Sequence, residues 1–213
     1  MEVLSSSNPA TIERAAAALA RGEVIALPTE TVYGLAALPR PDSVERLIAA
    51  KQRSADKGIQ LLIDSIEQAR QICVLTPAAE QLARAFWPGG LTLVLDRREG
   101  SDLPLLLGGG RATLGLRLAD HPIPRALARI LGPLAASSAN ITGLPPATTA
   151  QMVIDSLSDV VSLVVDDGPV RGGVASSVVD CSGSAGSAPV ILREGAITKS
   201  AILAALGQEY TAK

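Results

Sequence analysis

The stretch LPTETVYGL, Leu27 to Leu35, decides the fold. The run from Glu23 to Leu27 reads as a short buried strand, and Pro28 stops it because proline has no N–H to donate. Thr29, Glu30 and Thr31 then crowd together, followed by Tyr33 and Gly34. A strand that ends in a dense polar turn is a common way to build a ligand site in an α/β protein. Taken alone, the stretch also reads as a polar loop whose threonines satisfy nearby backbone groups. The same strand-then-polar-turn grammar recurs downstream, and that recurrence favours a site.

Composition sets the bounds. A chain of 213 residues can bury a substantial core, and 47% hydrophobic against 19% charged residues predicts a folded chain. Aromatics make up only 2%, so the core is built from Ala, Val, Leu and Ile, and rows of base-stacking rings are excluded. A net charge of −2 gives no general attraction to nucleic acid or anionic membrane, so any phosphate binding must be local. Met1 to Ser7 has no signal-peptide pattern and no run reaches membrane-spanning length. Cys73 and Cys181 lie far apart without CxxC spacing and read as small hydrophobes in a reducing cytosol, so a cytoplasmic location is expected.

Outward from the central stretch, Asn8-Pro9 predicts a capped helix start, with the helix ending at Gly22. Asp42 and Glu45 have capping-box spacing and open a helix, VERLIAAKQR, that delivers Lys51 and Arg53. The loop KQRSADKG reads either as solvated cations complementing the helix dipole or as a phosphate site. A strand is expected over Ile59 to Ile63, a helix over Ser65 to Ile72, and another from Thr76-Pro77 to Phe86-Trp87. Trp87 is expected to cover core at the helix end, and a strand follows over Leu91 to Leu95. Arg97 to Gly110 is expected to be a mobile loop or lid.

Ala112 to Leu118 alternates as a strand, with Thr113, Gly115 and Arg117 on one side, and such an arginine can present its fork to a carboxylate or phosphate. His121, next to Pro122, reads as a cap rather than a catalyst. Strand Pro133 to Ala136 runs into SSANITGLPP, and a helix is expected from Thr148 to about Ser158. Strand Val161 to Asp166 leads into the glycine-rich DGPVRGGVASS. SSVVD and Pro189 to Arg193 are the last strands, Thr198 caps a closing helix to Gly207, and the final residues are expected to fray.

One histidine beside a proline leaves no Ser-His-Asp or Cys-His apparatus, too few ligands remain for zinc, and neither GxxxxGK[ST] nor GxGxxG after a strand appears. What remains is a site without a covalent nucleophile. Its parts are hydroxyls at strand ends (Thr29, Thr31, Ser138, Ser176), the Asn140 amide, and the cations Lys51, Arg53, Lys57, Arg117 and Arg193. Such a set suits a polyanion and a small polar ligand held together, and phosphoryl or nucleotidyl transfer needs mainly alignment and charge neutralisation.

PTETVYGL, the K-x-R-x-x-x-K loop at Lys51, WPGGLT, Arg117 before HPIP, SSAN, GGVASSVVD and VILREG together resemble the YrdC/TsaC family, over roughly residues 20 to 195. The resemblance implies an open, twisted, mixed α/β sheet with flanking helices and a concave basic cavity, as one domain over residues 1–213. It implies synthesis of L-threonylcarbamoyladenylate from L-threonine, bicarbonate or carbon dioxide and ATP, with magnesium on the triphosphate. The product would feed downstream transferase machinery that threonylcarbamoylates tRNA. Lys51, Arg53 and Lys57 would bind ATP phosphates, the first two acting catalytically, while Thr113, Ser138, Asn140 and Arg193 hold the rest of the nucleotide. Thr31, Arg117 and Ser176 would hold threonine, with Arg117 on its carboxylate.

Three departures stand out: SADKG where the family usually carries flanking prolines, WPGGLT for the commoner WPGPLT, and Leu62 where some members place a histidine near threonine. The length also resembles the single-domain type. The competing readings are a YrdC-like module that binds RNA without synthesis, and a carbamoyl-transfer domain like that of the hydrogenase-maturation protein HypF. The latter lacks its accompanying zinc-finger and acylphosphatase-like segments here.

Overall fold

Ten short strands form one mixed sheet in a computed structural model that describes residues 1–183 and 188–207. The strands are β1 (Glu2–Ser5), β2 (Ile25–Leu27), β3 (Gly34–Ala37), β4 (Gln60–Leu62), β5 (Leu91–Asp96), β6 (Thr113–Arg117), β7 (Leu134–Ser138), β8 (Leu163–Asp166), β9 (Ser177–Asp180) and β10 (Val190–Arg193). Their order across the sheet is β1-β8-β2-β3-β7-β4-β6-β5-β9-β10. Parallel pairs (β1 with β8, β2 with β8, β4 with β6, β5 with β9) are mixed with antiparallel ones such as β3 with β7 and β5 with β6. The helices are α1 (Thr11–Ala20), α2 (Pro41–Ala50), α3 (Ile66–Ile72), α4 (Pro77–Phe86), α5 (Pro122–Leu131), α6 (Ala150–Leu157) and α7 (Lys199–Ala205). None of the described helices is long and apolar enough to cross a membrane.

Strand alternation sends successive side chains to opposite faces, and the two faces are treated differently. On one, Ala26, Leu35, Leu61, Leu93, Leu116, Val164 and Val179 join the larger core cluster beneath α2, α4, α6 and α7. On the other, only the half comprising β1, β8, β2, β3 and β7 is covered. There Leu4, Ile25, Leu27, Ala36, Leu134 and Val165 pack against Leu19 of α1 and Leu127 of α5. Over β4, β6, β5, β9 and β10 the same face carries Gln60, Thr92, Thr113, Gly115, Arg117, Val178 and Asp180, and beyond Leu62 at the end of β4 no α-helix covers it. A change from apolar to polar side chains at alternate positions thus leaves a hollow where a helix would otherwise pack.

Several expected element starts are realised by side-chain caps. Ser65 accepts from Gln68 N–H, Thr76 from Ala79 N–H, Thr198 from Ala201 N–H, and His121 Nδ1 from Ile123 N–H. Two caps are corrected. Asn8 accepts from Ala10 N–H in a turn that precedes α1, whose own first residue is Thr11. Asp42 does not cap α2: Arg40 occupies the cap without a side-chain bond, and Pro41, with φ already set, starts the helix. Strands β1 and β3 were not expected. Each is four residues long, too short for periodicity to show, and each is fixed by pairing with distant partners.

The expected lid is also corrected in its second half. Leu105–Gly108 form a short 3-10 helix with Leu107 buried, and the Leu107 carbonyl accepts from Ile59 N–H. Arg97 Nη2 donates to Pro104 O at 2.9 Å, and its Nη1 to Leu103 O, so this stretch is tied to the sheet as a cavity wall. Trp87 covers core as expected, and its Nε1 donates to Leu91 O at 2.8 Å. Cys73 and Cys181 are free and buried, and burial pushes both thiols up to about 12. The expected fraying of the final residues lies outside the described residues.

Candidate functional site

The uncovered half of the sheet floors a cavity of about 590 Å³. Arg53, Arg111, Arg117 and Arg193 line it together with Thr113, Ser138 and Ser176. Burial, followed by the charges of Arg53 and Arg117, lowers the Arg193 guanidinium below its ordinary value, so these three cations share one electrostatic environment.

Each cation has a local reason for its aim. After α2 the chain turns through Gln52, whose φ of 49° is left-handed, and Arg53 is swung back toward the sheet. Its Nη2 donates to Gly58 O at 2.9 Å and its Nε to Lys57 O at 3.3 Å. Arg117 ends β6 on the cavity side, as its alternation with Thr113 and Gly115 predicts. Arg193 depends on an irregularity: β10 shifts register between Ile191 and Arg193, placing Arg193 opposite Val178. A regular ladder would put Leu192 there and turn the arginine to the far face. Arg193 Nη2 then donates to Ser176 O at 2.7 Å.

Glycine is required at two positions here. A Cβ on Gly172 would lie 2.9 Å from Glu30 O, and one on Gly195 would lie 2.2 Å from Ala175 O. The first approach presses the DGPVRGGVASS loop against the polar turn after β2, and the second presses the chain just beyond β10 against that loop. Neighbouring serines divide their work: Ser176 lines the cavity, while Ser177 Oγ accepts from Gly195 N–H (2.9 Å) and Ile197 N–H (3.0 Å).

Lys51 is not a solvated helix end. It is buried, and its Nζ donates to Asn140 O (2.8 Å), Asn140 Oδ1 (3.0 Å) and Ser138 O. Burial, with a smaller push from Arg53, lowers its pKa to about 8. Ser138 Oγ in turn donates to Asn140 Oδ1 at 2.6 Å. Lys51 and Asn140 therefore stand directly behind the cavity wall that Ser138 forms. Thr31 is buried, its Oγ1 accepting from Arg117 Nη2 at 2.8 Å. Lys57 is the expected site residue that is not brought in: its side chain is exposed and outside the cavity lining, and only its carbonyl takes part.

Leu62, which stands where some family members place a histidine, does not line the cavity. It shares a face with Gln60 but is buried in the second core cluster, under α5. Sequence reasoning missed Arg111, Gln60, Thr92 and Asp180 as lining residues. The alternation of β5, from Leu91 to Leu95, could have pointed to Thr92, whereas Arg111 falls between the stretch read as a lid and the strand expected from Ala112.

The Sua5/YciO/YrdC family model, described as telomere recombination, matches residues 17–195. The chain is 40% identical over 211 residues to the threonylcarbamoyl-AMP synthase of Bacillus subtilis (strain 168), covering 98% of this chain and 60% of that protein. It is 36% identical over 198 residues to the putative threonylcarbamoyl-AMP synthase of Mycobacterium tuberculosis (strain CDC 1551 / Oshkosh), covering 92% and 89% respectively. The structure superposes on that of P. abyssi Sua5 complexed with L-threonine with a TM-score of 0.88 at 36% identity, over 97% of this chain and 61% of that one. E. coli YciO shares the fold, with a TM-score of 0.81 at 24% identity, over 94% of this chain and 97% of that one. The chain thus spans about 60% of the B. subtilis relative's length. With the family match running from α1 to the end of β10, the chain belongs to the Sua5/YciO/YrdC family.

Proposed function

We propose that this chain makes L-threonylcarbamoyladenylate and pyrophosphate from L-threonine, bicarbonate or carbon dioxide, and ATP. The observation that carries the reading is the joint lining of one cavity by Arg53, Arg117 and Arg193 with the hydroxyls of Thr113, Ser138 and Ser176. The names of the B. subtilis and M. tuberculosis relatives and the threonine bound to P. abyssi Sua5 support the same reading.

In this reading Arg53 and Arg193 take the polyphosphate, and Lys51 adds positive charge from behind the Ser138–Asn140 turn. Lys57 contributes only from outside the rim. Thr113, Ser138 and Asn140 position the remainder of the nucleotide. Arg117, Thr31 and Ser176 hold threonine, leaving its unprotonated α-amine free to form the N–C bond, either by adding to carbon dioxide and losing a proton or by attacking bicarbonate with water leaving. An oxygen of the resulting carbamate then attacks the α-phosphorus, and the bond to the β-phosphate breaks with its electron pair leaving on pyrophosphate. No side-chain nucleophile is needed: the work is nucleotidyl transfer by alignment and charge neutralisation.

Magnesium enters with ATP as part of the substrate. Among the described residues there is no cluster of three or more His, Cys, Asp or Glu, and Asp180 is the one carboxylate among those lining the cavity. A hard cation needs several oxygen ligands, which the phosphates supply. The product would pass to the machinery that modifies the tRNA adenosine. The competing RNA-binding reading is weaker because a hollow of about 590 Å³ in a chain with 2% aromatics suits small ligands better than stacked bases.

The deciding assay is pyrophosphate release from ATP with threonine and bicarbonate omitted in turn. Release that requires both is expected. Release indifferent to threonine, or RNA binding without turnover, would overturn the proposal.

A further inference from the structure

Arg117 carries five N–H donors, and three are committed within the protein. Its Nε donates to Gly89 O at 3.1 Å, and its Nη2 donates to both Glu30 Oε1 and Thr31 Oγ1 at 2.8 Å. Nη1 remains for the cavity that Arg117 lines. The Glu30 carboxylate is fixed from the other side as well, with Oε2 accepting from Asp120 N–H at 3.2 Å. Its backbone oxygen accepts from Gly172 N–H at 3.1 Å. The Glu30 side chain is 20% exposed and sits behind Arg117, outside the cavity lining.

The ion pair makes Arg117 unlike the other cavity cations. Among the described residues, Arg53, Arg111 and Arg193 make no ion pair with a carboxylate. The floor therefore holds three arginines without a direct carboxylate partner and one, Arg117, whose Nη2 is paired with a carboxylate while Nη1 makes none of these bonds.

We infer that Glu30 is a specificity-determining residue, which reserves the Arg117 subsite for a singly charged carboxylate and keeps phosphate out of it. A carboxylate needs only the two oriented Nη1 donors. A phosphate dianion or a pyrophosphate depends on net positive charge and would meet the Glu30 carboxylate directly behind the guanidinium. The device would stop a polyphosphate from slipping into the amino-acid subsite, and would stop released pyrophosphate from blocking it. The inference deepens the proposed function and rests on that reading for the identity of the carboxylate.

The test is calorimetric titration with L-threonine and inorganic phosphate, without ATP. In the unaltered protein, phosphate should change the apparent affinity for L-threonine by less than about twofold, because the two occupy different places. In Glu30→Gln, which keeps the side chain's shape and an acceptor for Arg117, phosphate should compete and weaken threonine binding roughly tenfold. ATP affinity should match the unaltered protein, and the variant should still unfold cooperatively at a lower temperature. Should Glu30→Gln not fold, Glu30→Ser removes the same charge and is read the same way. Threonine binding in the charge-free variant as indifferent to phosphate as in the unaltered protein would overturn the inference, as would equal phosphate competition in both. If the unaltered protein binds no threonine, the functional reading fails. Phosphate titration alone then decides the role of Glu30, through an additional phosphate bound in Glu30→Gln or its absence.

Discussion

The Lys51 ammonium lies 2.8 Å from the Asn140 carbonyl oxygen and 3.0 Å from its side-chain oxygen, so the end of α2 and the SSAN turn form one unit. Thr142 completes the joint, its N–H (3.0 Å) and Oγ1 (2.8 Å) both donating to Lys51 O. Lys51→Ala would leave the Ser138 and Asn140 carbonyls short of a donor. We expect a loss of about 1–3 kcal/mol for each, read by urea unfolding. Arg53→Ala should cost much less stability while weakening ATP binding. Equal stability losses in the two variants would contradict the structural role given to Lys51.

Titration of Lys51 gives two opposed pH dependences. Its folded pKa is about 8 against an ordinary 10.5, so between these values the unfolded chain holds more protons. The penalty for burying the ammonium is present below about 8 and is relieved as pH rises toward 10.5, so this group's contribution to stability increases over that window. Nucleotide affinity should move the other way, falling as pH rises through about 8, because the phosphate is attracted only to the charged form. Calorimetric ATP affinity and denaturant unfolding at pH 7, 8, 9 and 10 separate the two trends. An affinity flat to pH 10 would show that Lys51 does not contribute charge to the nucleotide site.

Arg117→Ala should raise the threonine requirement with little effect on ATP binding, whereas Arg193→Ala should weaken ATP by about 1.5–3 kcal/mol, the scale of a charged hydrogen bond. Direct titration with each ligand checks both. Equal losses of both ligands in Arg117→Ala would remove its assignment to the carboxylate.

The adjacent serines Ser176 and Ser177 should separate function from stability. Ser177→Ala leaves the Gly195 and Ile197 N–H groups without their acceptor and should cost about 1–3 kcal/mol in unfolding free energy. Ser176→Ala removes a cavity hydroxyl and should act mainly on threonine affinity. Reversal of the two phenotypes would mean that β9 is registered the other way round.

Leu62 offers a test of the second core. Truncation to Ala should cost about 2–5 kcal/mol because the site lies under α5, with unchanged threonine affinity in the folded fraction. A selective loss of threonine binding with full stability would place this position in the cavity instead.

The sequence by itself determined what depends on neighbours along the chain. Pro28 bounds its strand, Ser65, Thr76 and Thr198 cap their helices, and alternation places Thr113, Gly115 and Arg117 on one side of β6. It also supplied the inventory of hydroxyls and cations, because each sits beside a recognisable strand end or in the loop after α2. Only the tertiary structure decided which of these share a site. The bulge that turns Arg193 inward, the burial of Lys51 against Asn140, the exclusion of Lys57 and the ion pair of Glu30 with Arg117 all depend on strand pairing and loop contacts between residues far apart in the chain. The half-covered sheet has the same origin: α1 and α5 reach only β1, β8, β2, β3 and β7 and the end of β4, and the rest of that face stays open as a cavity.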